Sequence, residues 1–313
     1  MKFSKLSVVV LFPIIISLLC LGCKRDQGVT LSFNPQEGKK YEFTQEVIQD
    51  IDMGNSGHLA NLKNTSVFIY NAEVTEKDGK NFILNMLIKR IKFDMSAVGA
   101  ENTITYDSDK PDSVSEPATE FLSKIYSKII DQPIAVTVNE KGEVVALSGV
   151  QQILNKLIAD TLWNSMPNAE QAKNYLKTNF SEDFYKRSFS EMFNVLPGKE
   201  VSVGDAWEKQ HGKTLMEMNV DSKIKNELKG ITSNTAVIST NGDINLASSG
   251  TQNSTGVKMT GTQTGTIKVD VATGLITESE IKHHASGSYT GTIETPFKLT
   301  STTKITSKEI NDK

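Results

Sequence analysis

An α+β fold built on a large curved antiparallel sheet is what this sequence predicts, and three observations predict it. Apolar residues alternate with a period of two from Lys40 to Met95 and again from Lys213 to Ile310. Between these blocks the period becomes helical. Strands and helices never alternate regularly, as the βαβ units of a parallel sheet would require. The N- and C-terminal strands are expected to share one sheet, with a central helical segment packed on its concave side; the alternative is two sheets dividing near residue 197.

The elements follow in order. In "KYEFTQEVIQDIDM" (Lys40–Met53), Tyr41, Phe43, Val47 and Ile51 share odd positions, as on one face of a half-buried strand. "SVFIYNAEVTEKDGKNFILNMLIKRIKFDM" (Ser66–Met95) reads as two long strands turning at Asp78-Gly79, a strong hairpin signal. From Ser115, a plausible helix cap, Ala118, Phe121, Leu122, Ile125 and Ile129 recur at helical spacing. "PIAVTVNEKGEVVALSG" (Pro133–Gly149) is a short hairpin turning at Lys141-Gly142. The stripe Val150, Ile153, Leu154, Leu157, Ile158 and Leu162 then predicts a helix, and two more are expected over Ala169–Phe180 and Glu182–Phe193. After Pro197-Gly198 only strands are expected, with turns at Asn241-Gly242, Ser249-Gly250 and Asp270–Gly274. In "MTGTQTGTIKVDV" (Met259–Val271), Thr260, Thr262, Thr264 and Thr266 fall on one face and Gly261, Gln263 and Gly265 on the other. Threonine suits a solvated sheet face, and strand glycines permit close approach of a backbone or ligand.

The N-terminus reads as an address. Lys2 and Lys5 precede an apolar run from Val8 to Leu21, interrupted only by Pro13 and Ser17. A basic tip before roughly 7–15 apolar residues describes a secretory signal, and the run falls short of the about 20 residues a spanning helix needs. "LCLGC" resembles the bacterial lipobox, which implies cleavage after Gly22 and a lipid on Cys23. Residues 1–22 are then the signal peptide, 23–30 a tether and 31–313 the domain. Cys20 leaves with the signal, so the mature chain has no disulfide and no thiol metal site. Lys24, where an aspartate would mark inner-membrane retention in enterobacteria, favours the outer membrane by analogy. Whether the domain faces the periplasm or the exterior stays open.

The mature chain carries 32 basic and 37 acidic side chains, a balance of −5 without clustering. That excludes the electrostatic footprint of a nucleic-acid binder. Of the four histidines, His283 and His284 are adjacent on an expected strand and point to opposite faces. His58 and His211 fall in expected loops. Asp107, Asp109 and Asp112 in "YDSDKPD" lack the glycine and glutamate of an EF-hand and read as an acidic turn. "STTK" (Ser301–Lys304) and "HGKT" (His211–Thr214) match catalytic motifs by letters only. No residue is assigned to catalysis, and no metal or other cofactor is expected.

"LPGKEVSVGDAWEK" (Leu196–Lys209) stands apart, with Gly204-Asp205 as a turn that Asp205 caps and that delivers Trp207 to a strand or the core. Together with "YDSDKPD", "VNEKGEVVALSGVQQIL" and "VDVATGLITES", it resembles a family of uncharacterised Bacteroidota lipoproteins, a domain of unknown function. The resemblance implies an exported, membrane-tethered domain of mixed sheet and helix and no established activity. The function expected is therefore that of a non-enzymatic, lipid-anchored envelope module. Its partners would be the membrane, through Cys23, and an apolar ligand or another envelope protein. The alternative is a hydrolase whose site assembles only in three dimensions, from a histidine, a serine and a carboxylate.

Overall fold

The computed structural model describes residues 28–311, apart from 55–60, 98–102, 111–116, 166–167, 216–217, 249–255 and 291–293. Cys20, Gly22, Cys23, His58, Asp112, Ser115 and the Ser249-Gly250 turn lie outside the described residues. The elements run β1 (Val29–Leu31), β2 (Lys40–Asp52), β3 (Leu62–Asp78), β4 (Asn81–Ala97), β5 (Thr103–Asp107), α1 (Pro117–Tyr126), β6 (Pro133–Asn139) and β7 (Val144–Ser148). Next come α2 (Val150–Ile158), α3 (Ala169–Asn179), α4 (Glu182–Phe193), β8 (Lys199–Val201) and β9 (Ala206–Leu215). Five long strands close the chain: β10 (Met218–Thr232), β11 (Thr235–Ser248), β12 (Gly256–Asp270), β13 (Ile276–Thr290) and β14 (Thr295–Ile310). Every strand and helix described thus lies between Val29 and Ile310.

Twelve strands form one antiparallel sheet in the order β7-β6-β4-β3-β2-β14-β13-β12-β11-β10-β9, with β5 beside β4. The seam between the two ends of the chain is β14 against β2, thirteen residue pairs from Lys298↔Asp52 to Ile310↔Lys40. One sheet therefore carries strands from both sides of Pro197. β1 pairs with β8 in a separate two-stranded sheet. Val29 and Thr30, expected in the tether, are strand residues here, so the folded unit begins two positions early.

The two outermost regions of the long path approach each other. Lys209 of β9 donates from Nζ to the Lys141 carbonyl at 3.2 Å and lies 4.0 Å from Glu143, both in the connection between β6 and β7. Along β2 the odd residues Tyr41, Phe43 and Gln45 are buried. α4 covers this inner face with rings set edge to face: Phe189 on Tyr70 at 5.8 Å and Phe193 on Phe43 at 5.6 Å. Phe33 packs against Phe193 and Phe82, each at 5.4 Å, so the segment after β1 plugs this end of the core. The outer face is polar: Thr260, Thr262, Thr264 and Thr266 are all exposed, as a solvated face requires.

Several local expectations hold. The β3–β4 hairpin turns at Gly79, the β6–β7 hairpin at Lys141-Gly142, and the β12–β13 turn ends at Gly274 with φ +72°. Gly204 takes φ +93°, and Asp205 closes the turn by accepting the Ser202 N–H at 2.8 Å. Two expectations fail. Asn241-Gly242 is not a turn but lies inside β11, because an ideal Cβ on Gly242 would strike the Lys223 carbonyl and Ile224 of the adjacent β10. Close strand approach, not chain reversal, demands that glycine; the reversal is at Ser233-Asn234. His211 is not in a loop either, since β9 runs through it with His211 opposite Ser222. The same strand disposes of "HGKT" as a phosphate loop, and "STTK" likewise sits within β14.

Candidate functional site

α4 is positioned by its cap and its rings. Ser181 accepts the Phe184 N–H at 3.3 Å, and Glu182 and Asp183 occupy the first turn, where the helix dipole favours acids. Tyr185, Phe189, Met192 and Phe193 bury the apolar face. Arg187, Ser190, Glu191 and Asn194 then share a second stripe at helical spacing. That stripe reads in sequence as a solvent face. In the fold it lines a cavity of about 240 Å³ between α4 and the inner face of β9–β14.

Strand register places the opposite wall. One row across the sheet runs Lys209, Ile224, Gly242, Gln263, His283, Ser301. The next runs Trp207, Asn226, Thr240, Gly265, Ile281, Thr303, and the one beyond it Leu228, Ile238, Ile267, Ser279, Ile305. The inner face thus changes from polar to apolar toward the plugged end. Six isoleucines reach the cavity: Ile224, Ile244, Ile267, Ile276, Ile281 and Ile305. Two larger depressions hold about 460 and 680 Å³, and both are bordered by the exposed Thr260, Ser286 and Lys298. Predominantly apolar walls with a few convergent polar groups mark a binding site better than size does.

Electrostatics sharpen the polar rim. Glu191 is exposed at the lining of this cavity, and its carboxylate accepts the Gln45 amide at 2.9 Å. The protein atoms packed around the carboxyl push it above the usual range, against the pull of Arg187 and Gln45. Burial lowers Arg187, opposed by Glu191 and Asp183, and lowers Lys209, opposed by Glu143. His283 faces the cavity and is pushed down by burial and then by His284, which favours the neutral ring. His284 points out to solvent, so the pair divides between faces as expected. Asn226, 2% exposed, has a side-chain oxygen without a hydrogen-bond partner.

Trp207 anchors the rim. Its indole Nε1 donates to the Val195 carbonyl at 2.8 Å, tying β9 to the exit of α4. The acidic turn sits far from this in the chain: Asp107 receives a two-pronged bond from Arg90 at 3.0 and 2.7 Å. Among the described residues no group of three His, Cys, Asp or Glu side chains is placed to hold a metal. The cavity does gather His283, Ser190, Ser222 and Glu191. Ser190 is committed to the Lys186 carbonyl at 2.7 Å, and Glu191 accepts from Gln45.

An antiparallel-sheet protein with an internal amphipathic cavity is the class these features define. The chain belongs to the family of unknown function DUF6263, whose model matches residues 79–276. Comparison with curated proteins finds no match. Among solved structures, one describing lipid–protein interactions in lipovitellin aligns with 89% of this chain at 10% identity and a TM-score of 0.47. The chain spans 26% of that lipovitellin chain. A putative exported protein with YmcC-like fold from Bacteroides fragilis aligns with 87% of this chain and 97% of its own, at 8% identity and TM-score 0.21. An outer membrane channel from Pseudomonas putida F1 gives 88%, 97%, 6% and 0.26 for the same quantities. None of the three reaches the similarity that marks a common fold.

Proposed function

We propose that this protein is a non-enzymatic lipoprotein of the cell envelope that holds an apolar ligand in the cavity under α4. The cavity carries the reading. At about 240 Å³ it far exceeds the roughly 30 Å³ share of one water in the liquid. Its six isoleucines offer a wall that water wets poorly and a hydrocarbon covers well. The lipobox-like "LCLGC" supports tethering through Cys23 after cleavage at Gly22, with the outer membrane favoured by Lys24. Each CH₂ of the anchor buried in the bilayer contributes about 0.8 kcal/mol, so two or three acyl chains attach the protein durably.

The test is mass spectrometry of the chain from Lys24 onward, made in a bacterial periplasm, under native and denaturing conditions. A native excess of a few hundred daltons that extracts into organic solvent is the expected result. A clean apo mass, together with failure to take up any added amphiphile, refutes the reading. The second reading, a hydrolase, draws on His283, Ser190, Ser222 and Glu191 lining one space. Ester turnover that disappears in His283→Ala would establish it.

A further inference from the structure

The isoleucines account for the apolar part of a ligand, and the polar residues of the same walls specify its head. Every formal charge at the lining is already answered. Lys209 donates to the Lys141 carbonyl at 3.2 Å and lies 4.0 Å from Glu143. Arg187 stands in the field of Glu191 and Asp183, and Glu191 accepts the Gln45 amide at 2.9 Å. The group left over is neutral. Asn226 forms part of the wall, is 2% exposed, and has a side-chain oxygen without a hydrogen-bond partner. Three more neutral polar side chains are buried at the same lining. Thr240 sits directly opposite Asn226 on β11, and Thr303 lies further along that row on β14. Gln263 lies two residues along β12 from the same row.

An amide left unpaired in a desolvated wall is costly, and the group that enters beside it decides whether the cost is relieved. A carboxylate only accepts hydrogen bonds, so it cannot answer the Asn226 oxygen. An ammonium donates, but it brings a charge into a mainly apolar space where no carboxylate is left unengaged. A neutral hydroxyl both donates and accepts, so it serves the amide whichever way the amide is turned. Resting on the apolar-cavity reading above, we infer that the natural ligand is a single-chain amphiphile with an uncharged hydroxyl head, hydrogen-bonded to the Asn226 amide, its chain lying over Ile267, Ile281 and Ile305. The Thr240 and Thr303 hydroxyls and the Gln263 amide surround that head with further neutral donors and acceptors.

The experiment uses the chain from Lys24 onward, which retains every described element. Its probes carry one chain length: 1-octanol, the octanoyl monoester of glycerol, 1-methoxyoctane, octanoate and octylammonium. Isothermal titration calorimetry at neutral pH reads each affinity. The two hydroxyl heads should bind at least tenfold tighter than the ether, which accepts but cannot donate, and tighter than either ion. Either hydroxyl head supports the inference, and whichever binds tighter tells a simple alcohol from a glyceride. Asn226→Leu should bring octanol down to the affinity of the ether, while the ether's own affinity stays within about twofold. Equal binding of alcohol and ether is what a trapped water on the amide would give. That result, or preference for either charged head, overturns the inference and leaves the apolar cavity standing. Binding of none overturns both. The comparison among probes uses the unaltered protein, so misfolding of the variant cannot decide it.

Discussion

Replacing Phe193 with alanine should be the most damaging single truncation at the junction of helix and sheet. The ring is 1% exposed and meets Phe33 at 5.4 Å and Phe43 at 5.6 Å, both edge to face. It therefore joins α4, β2 and the plug after β1 at one point. Buried Phe→Ala changes cost about 3–5 kcal/mol, of which the two aromatic pairs account for about 0.5–1.5 each. The backbone leaves little room for collapse, since Gly142 lies directly against the Phe193 carbonyl, and the figure should fall near 4 kcal/mol. At about 2–4 °C per kcal/mol for a domain of this order of size, the melting temperature should drop by about 8–16 °C. Urea and thermal unfolding followed by circular dichroism measure both quantities. Phe184→Ala is the control, because that ring is only half-buried and its aromatic pairs among the described residues, with Phe180 and Tyr185, lie within its own helix and the residue before the helix's cap. A loss below about 1 kcal/mol for Phe193→Ala, or an equal loss for the control, would refute Phe193 as the pivot.

Trp207→Phe should keep the buried ring but leave the Val195 carbonyl without its 2.8 Å donor, costing about 1–3 kcal/mol in urea unfolding. Ile281→Trp should fill the cavity from its sheet wall; octanol affinity by calorimetry should fall at least tenfold, with a melting shift of only a few degrees. The Arg90 bond holds the Asp107 carboxyl below its ordinary value of 3.8, so the pair stabilises the fold above that pH and the contribution is lost as pH falls through the lower folded value. Wild type should exceed Asp107→Asn by about 1 kcal/mol at neutral pH, and acid titration of stability should bring the two together as pH falls below the ordinary carboxyl value. Cys23→Ser should move the protein from the membrane to the soluble fraction of a bacterial lysate, as ultracentrifugation and immunoblotting would show.

Much of the sheet was legible because pleating writes a period of two into the chain. Tyr41 and Phe43, predicted inward by alternation, are buried, and the threonines of β12 face solvent as their spacing indicated. Asp78-Gly79, Lys141-Gly142 and Gly204-Asp205 turn where glycine allows φ above zero. The Asn241-Gly242 failure has a different cause: the same dipeptide also serves where two strands approach closely, and only the neighbour, β10, decides which. His211 failed similarly, because glycine and lysine beside it masked a strand held by its partner.

The candidate site was nearly invisible. Arg187, Ser190, Glu191 and Asn194 form the polar stripe of an amphipathic helix, and such a stripe ordinarily meets water. The six isoleucines come from β10 to β14, separated by up to eighty-one positions, and read singly as ordinary core residues. A clue did exist in the inward-facing Asn226, Gln263 and His283, polar residues at positions where alternation calls for apolar ones.

The sequence by itself determined the strands, their inward and outward faces, most turns and the amphipathic helices, because each depends on residues adjacent or a turn apart. Only the tertiary structure decided that β14 pairs with β2, that Lys209 reaches the β6–β7 turn, and that α4 turns a charged stripe toward isoleucines from five strands. Those are contacts between segments far apart in the chain, selected by which apolar faces can be buried together. A cavity is the remainder of that selection, and no local pattern encodes it.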